Sequence, residues 1–171
     1  MSVEGGLNHV KRVKTSTTQE GFLVINGDNY YTAEVLAALE CGAHWPYADS
    51  AIKAMARAGE QPTALHNNCS GKHSGFVCLG CLMARQAGRD PAEFVRGYIR
   101  PDHPVMREVT AALAAATGAD LSQAPMGTDG CSIPTFAFAL RRLAHGFARI
   151  GTGTGLAPDH ARAARRLRQA V

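Results

Sequence analysis

The chain has 171 residues, 46% hydrophobic and 19% charged, with a formal net charge of +4 and a pI near 8.9. That length carries one domain with its own core, and the balance excludes a disordered chain or a strongly basic nucleic-acid binder. No stretch approaches the roughly 20 apolar residues that span a bilayer, so no membrane partner is expected.

Residues 1–20 are polar, rich in Ser, Thr, Lys and Gly, and are expected to be poorly ordered. They lack the apolar core of a signal peptide. GFLVING (21–27) reads as one short strand closed by the turn signal Gly27-Asp28-Asn29. Thr32 is placed to cap a helix through Glu40, with Val35, Leu36 and Leu39 on one face. CGAHWPY (41–47) is turn-rich. Asp49 is read as the cap of a helix through Ala58, stopped by Gly59, with Ile52 and Met55 inward and Lys53 and Arg57 outward.

A long, largely buried helix is predicted from Gly71 to Gly88, carrying Phe76, Val77, Leu79, Leu82 and Met83. Asp90-Pro91 opens another helix, with Pro in its first turn. Pro101-Asp102-His103-Pro104 starts a third, in which Val105, Val109, Leu113 and Ala116 recur at helical spacing and Gly118 stops the run. After the loop containing MGTDGCS, a helix is predicted over 134–149, then a loop at 151–158 and a last helix from about Asp159. With one evident strand the fold class is α+β, predominantly helical.

Residues His66-Asn67-Asn68-Cys69-Ser70-Gly71-Lys72-His73 concentrate polar side chains where a loop meets a helix N-terminus. Main-chain N–H groups there favour anions and lower a thiol pKa. Cys69 and Lys72 lie one turn apart and so face one point. The plainer reading is that Asn68 or Ser70 caps the helix. In Gly127-Thr128-Asp129-Gly130-Cys131 two glycines permit a tight or left-handed turn, with a carboxylate and a thiol two positions apart. Cys131 and Cys69 are a soft-metal donor pair, or else buried apolar cysteines.

Three further patterns read as structural. Cys78 and Cys81 match C-x-x-C but lie mid-helix in an apolar run, not at a redox-type helix start. Ser50 and Lys53 match S-x-x-K on an ordinary amphipathic helix, without the S-D-N and K-T-G companions. GTGTG (151–155) follows no strand, which argues against a phosphate loop. The basic clusters Lys11, Arg12, Lys14 and Arg162, Arg165, Arg166, Arg168 lack interleaved aromatics, so they are read as solvated faces without nucleic acid. Five cysteines, an odd number, and no export signal point to reduced thiols in the cytoplasm.

Taken in order, LECGAHWPY (39–47), ALHNNCSGKHSGF (64–76), PDHP (101–104) and MGTDGCSIPTFAFAL (126–140) resemble signatures of the bacterial, zinc-dependent asparaginase II family (Rhizobium-type). The match covers roughly residues 33–170. The pair NNCSGKH and GTDGC around PDHP is far more specific than any single motif. The resemblance implies part of a fold like that of serine β-lactamases and penicillin-binding proteins. It also implies an amidohydrolase that converts L-asparagine to aspartate and ammonia. Its zinc ion is expected on Cys69, Lys72 and Cys131, with His73 and Asp129 at the substrate. A homodimer is compatible with it. Residues 1–32 show neither of the family's serine motifs, and Ser16 has no lysine three positions on. That segment is therefore expected to be unrelated, residues 33–171 to form a partial asparaginase II domain, and no nucleophile is assigned. A truncated or degenerate member, non-catalytic but still zinc-binding, is the alternative. It would leave apolar surface uncovered and be marginally stable or self-associating.

Overall fold

The computed structural model describes residues 23–25, 29–31 and 37–169. It is mostly helical, with two separate two-stranded sheets, an α+β arrangement. Strands β1 (Leu23–Ile25) and β2 (Asn29–Tyr31) pair antiparallel in the register Leu23 to Tyr31. The single strand expected at 21–27 is thus one arm of a hairpin, and Asn29 begins its second strand instead of ending a turn. Most of the helix expected from Thr32 lies outside the described residues; Leu39 and Glu40 are irregular backbone.

Helix α1 (Asp49–Ala58) buries Met55 and ends on Gly59 in the left-handed region at φ 68, whose N–H reaches back to the Ala56 carbonyl. Asp49 is not its cap. Ala48 holds that position without a side-chain bond, and Asp49 lies in the first turn, where its charge suits the helix dipole. A short 3₁₀ turn at Ala64–His66 leads into helix α2, Ser70–Gln86.

Helix α2 is the centre of the molecule. It packs on α3 (Pro91–Phe94) and α4 (Pro104–Thr117) through Val77, Cys81, Ala84, Phe94, Val95, Tyr98, Val105 and Met106. Close approach depends on Gly80: a Cβ there would stand 2.7 Å from Val95 Cγ1 and 3.2 Å from Val105 Cγ2. Burying a valine or methionine side chain contributes about 1.5–3 kcal/mol, so this dry contact is the main adhesive of the fold. Leu82 faces outward, 46% exposed, against the inward placement expected for it.

The PDHP segment is a structural joint. Pro104 occupies the first turn of α4. His103 caps the helix, Nδ1 accepting from Val105 N–H at 3.1 Å and Nε2–H donating to the Phe94 carbonyl at 2.9 Å. Both ring nitrogens are used, which fixes the tautomer. Residues 126–136 then form a second hairpin, β3 (Met126–Thr128) against β4 (Pro134–Phe136). This corrects the helix expected from 134. Helix α5 begins only at Leu140 and runs to Thr152, followed by α6, Pro158–Gln169. Helix α5 rests on the end of α4 through Gly146, whose absent Cβ would lie 3.0 Å from Thr117 Cγ2. Arg149 donates to the orphan carbonyls of Ala115 and Ala116 at 2.9 and 3.1 Å. The other face of α5 is uncovered: Leu140 is 77% and Phe147 70% exposed. Among the described residues no helix is long and apolar enough to cross a membrane.

Candidate functional site

The entry to α2 is built by side chains that hold a loop still. Thr63 and His66 form a reciprocal capping box on the 3₁₀ turn. Asn67 Nδ2 donates to the Cys41 carbonyl at 2.7 Å and Asn67 Oδ1 accepts Cys69 N–H at 2.9 Å. Asn67, not Asn68 or Ser70, is therefore the polar residue that orders this helix start. Cys69 sits at the cap position with helical backbone angles and makes no side-chain cap bond, which leaves its thiol for other partners.

The β3–β4 hairpin supplies the opposite wall. Asp129 Oδ1 accepts Cys131 N–H and Ile133 N–H, both at 2.9 Å, folding the turn around its own carboxylate. The left-handed residue of this turn is Ser132 (φ 71), not the expected Gly127 or Gly130. A non-glycine residue there costs about 1–2 kcal/mol, tolerated because the carboxylate clamps its neighbours. Cys131 and Ile133 bury against the α2 core, and this packing carries the loop to the helix start.

Lys72 closes the site. Its Nζ donates to Asp129 Oδ2 at 3.0 Å and to Cys131 Sγ at 2.9 Å, while the Cys131 thiol lies 3.1 Å from Asp129 Oδ1. Residues separated by 57 and 59 positions thus meet. Partial burial pushes the Asp129 carboxyl up, but the bonds from Ile133, Cys131 and Lys72 outweigh it and hold it well below the carboxylate range. Burial alone would lower the Lys72 ammonium, yet its bonds to Cys131 and Asp129 raise it. Burial raises the Cys131 thiol against the opposing pull of Lys72. At neutral pH the set is an ammonium, a thiol and a carboxylate.

His73 lies behind this cluster, fully buried. Tyr98 Oη accepts Glu40 N–H at 3.1 Å, so its own proton goes to His73 Nδ1 at 2.5 Å and the imidazole proton sits on Nε2. Nε2 makes no hydrogen bond; the Cys131 main chain approaches the ring without completing one. Burial first, then the Lys72 charge, lower the His73 pKa and keep the ring neutral. Glu40 also accepts Gly97 N–H at 2.6 Å. The support from Glu40 and Tyr98 carries no sequence signal, because each is an ordinary residue made relevant only by a contact 57 or 58 positions away.

Beside Asp129 an open groove of about 430 Å³ is lined by Met126, Thr128, Thr135 and Phe136 among others, within the size range of small-ligand sites. The remaining sequence motifs stay apart from this chemistry. Ser50 and Lys53 are exposed on α1, and Cys81 is buried in the α2 core with its thiol pushed up to about 11 by burial.

Among the described residues no three His, Cys, Asp or Glu side chains are gathered as a metal-holding group. Counting an amine, Lys72 and Cys131 are two donors in contact, and Cys69 opens the helix that carries Lys72. Two thiols and an amine suit zinc in ligand chemistry. The 2.9 Å between Nζ and Sγ is a hydrogen-bond contact, however. Two ligands of one tetrahedral zinc stand about 3.6 Å apart, so the pair must open and the ammonium lose its proton. No curated protein matches the chain. The model of the L-asparaginase II family matches residues 33–171, and the chain belongs to that family.

Proposed function

We propose that this chain acts on L-asparagine, hydrolysing the side-chain amide to aspartate and ammonia, with zinc held by Cys69, Lys72 and Cys131. The observation that carries the reading is the convergence of Lys72, Asp129 and Cys131 at the start of α2, beside an open groove. Asp129 receives the α-ammonium of the amino acid, because its carboxylate is the strongest fixed anion at the groove. Asp129 Oδ2 is occupied by Lys72, so Lys72 and the substrate ammonium compete for one oxygen. His73 is a positioning residue and not a substrate contact: its buried ring, held by Tyr98, supports the wall formed by Lys72 and Cys131. Bound zinc supplies Lewis acidity that polarises a carbonyl or a water. The fold is one part of a serine β-lactamase-like architecture.

A second reading is a zinc-binding protein without turnover. The exposed, isolated Ser50–Lys53 pair on α1 and the Lys72-blocked carboxylate favour it. Ammonia release from L-asparagine, measured with added zinc and with a chelator, separates the two. Release that responds to zinc and falls at least tenfold in Cys69→Ala and Lys72→Ala establishes the amidohydrolase. A folded protein that binds zinc stoichiometrically and releases no ammonia establishes the second reading.

A further inference from the structure

Asp129 and His73 are held in different ways. Three groups bond the Asp129 carboxylate, the N–H groups of Cys131 and Ile133 and the Lys72 ammonium, so no single one decides its place. The His73 ring is wholly buried, its Nε2 makes no hydrogen bond, and its Nδ1 meets the Tyr98 hydroxyl at 2.5 Å. The rings of Phe76 and Tyr98 border it at centroid distances of 6.0 and 5.7 Å. These contacts fill space without choosing between the two nitrogens. One hydrogen bond therefore sets how the imidazole is turned and which nitrogen carries its proton.

The Tyr98 hydroxyl is itself fixed from a distant part of the chain. It accepts the Glu40 main-chain N–H at 3.1 Å, and the Glu40 carboxylate accepts Gly97 N–H at 2.6 Å, so Glu40 grips the Gly97–Tyr98 step at two points. The next residue ties the same segment to the approach of α2. The Cys41 thiol donates to the Ala64 carbonyl at 3.2 Å, and the Cys41 carbonyl accepts Asn67 Nδ2 at 2.7 Å. Residues 40 and 41 thus join the loop before α2 to the turn after α3. Between those two anchors lies the first turn of α2. There His73 N–H donates to the Cys69 carbonyl at 3.1 Å, and Lys72 leaves toward Asp129 and Cys131.

We propose that Glu40 is a positioning residue of this site. Acting through the Tyr98 hydroxyl, it fixes the His73 ring and with it the turn of α2 from which Lys72 reaches the β3–β4 hairpin. The side-chain partner of Glu40 is a neutral N–H, so what the site takes from it is an acceptor oxygen and not a charge. Glutamine offers an acceptor oxygen at the same place, and alanine offers none. The Tyr98 hydroxyl is separable from its ring in the same way, because phenylalanine keeps the packing and loses the bond. The effect expected on zinc rests on the proposed function, whereas the effect on the ring does not.

The test labels the histidine nitrogens of the full, metal-free chain and reads the His73 ring by NMR, its signals assigned by their loss in His73→Asn. Wild type is expected to show one ring form, with the proton on Nε2 and Nδ1 as acceptor. Tyr98→Phe and Glu40→Ala should each turn that pattern into a mixture, and Glu40→Gln should keep it. In zinc titrations against a chromophoric chelator, Tyr98→Phe and Glu40→Ala should bind roughly tenfold or more weakly, as loss of an outer partner of a metal site does, and Glu40→Gln as tightly as wild type. The inference is overturned if the wild-type proton sits on Nδ1, if Tyr98→Phe or Glu40→Ala leaves the ring pattern unchanged, if Glu40→Gln behaves as Glu40→Ala does, or if the ring pattern changes while zinc affinity does not. A wild-type chain that binds no zinc sinks the metal assignment of the proposed function instead, and the ring pattern with its rescue by glutamine then decides this inference alone.

Discussion

The α2–α4 unit and the α5–α6 pair are built from equally regular helices and end up in opposite states. In the first, apolar faces meet across Gly80, and Val95, Tyr98 and Val105 are wholly buried. Its polar groups are answered locally: His103 uses both ring nitrogens, and Tyr98 bridges Glu40 and His73. In the second, α5 is the more sharply two-faced helix, with Leu140, Leu143, Phe147 and Ile150 along one side, yet that side is exposed. Residues 140–169 also carry seven arginines against one acid, Asp159. Periodicity therefore marks a face that needs covering, whereas burial requires a complementary surface at the right distance. Only the first unit has one.

The contrast can be broken from its strong side first. Tyr98→Ala removes a wholly buried ring and leaves Glu40 N–H and His73 Nδ1 without their partner. A loss of about 3–5 kcal/mol is expected in chemical denaturation. Gly80→Ala forces a methyl group into Val95 and should cost about 1–3 kcal/mol. The helix-propensity gain of about 1 kcal/mol offsets part of this. A more stable Gly80→Ala protein would mean that the helices are not in close contact.

The site between the regions should respond to pH. The Asp129 carboxyl is held below its ordinary value. Its stabilisation is therefore present above the unfolded carboxylate pKa of about 4 and is lost as pH falls from there through the folded value. The stability gap between wild type and Asp129→Asn, followed by denaturation midpoint, should be constant near neutrality and close on acidification. The smallest effect belongs to the exposed face. Phe147→Ser should change stability by no more than about 0.5 kcal/mol while reducing self-association in sedimentation. A large destabilisation would show that this side of α5 is covered in solution.

The helices around Met55, Val77 and Val105 were legible as periodic runs, and the stops at Gly59 and Gly118 are the left-handed caps that such glycines make. The hairpins were less legible. Residues 126–136 carry too few alternating residues to read as strands, and Pro134 suggested a helix start. The left-handed turn position went to Ser132 because the Asp129 carboxylate, not a glycine, organises that loop. Cys69, Lys72, Asp129 and Cys131 were legible as two polar segments, and Tyr98 and Glu40 were not legible at all.

By itself the sequence determined the helices, whose signals lie within a few turns of chain, and the family, whose motifs are contiguous. Only the tertiary structure decided that Lys72 lies against Asp129 and Cys131, that His73 is buried, and that the apolar side of α5 is exposed. Those outcomes depend on distances between residues tens of positions apart, which packing across Gly80 and burial of Cys131 and Ile133 establish and no local pattern encodes.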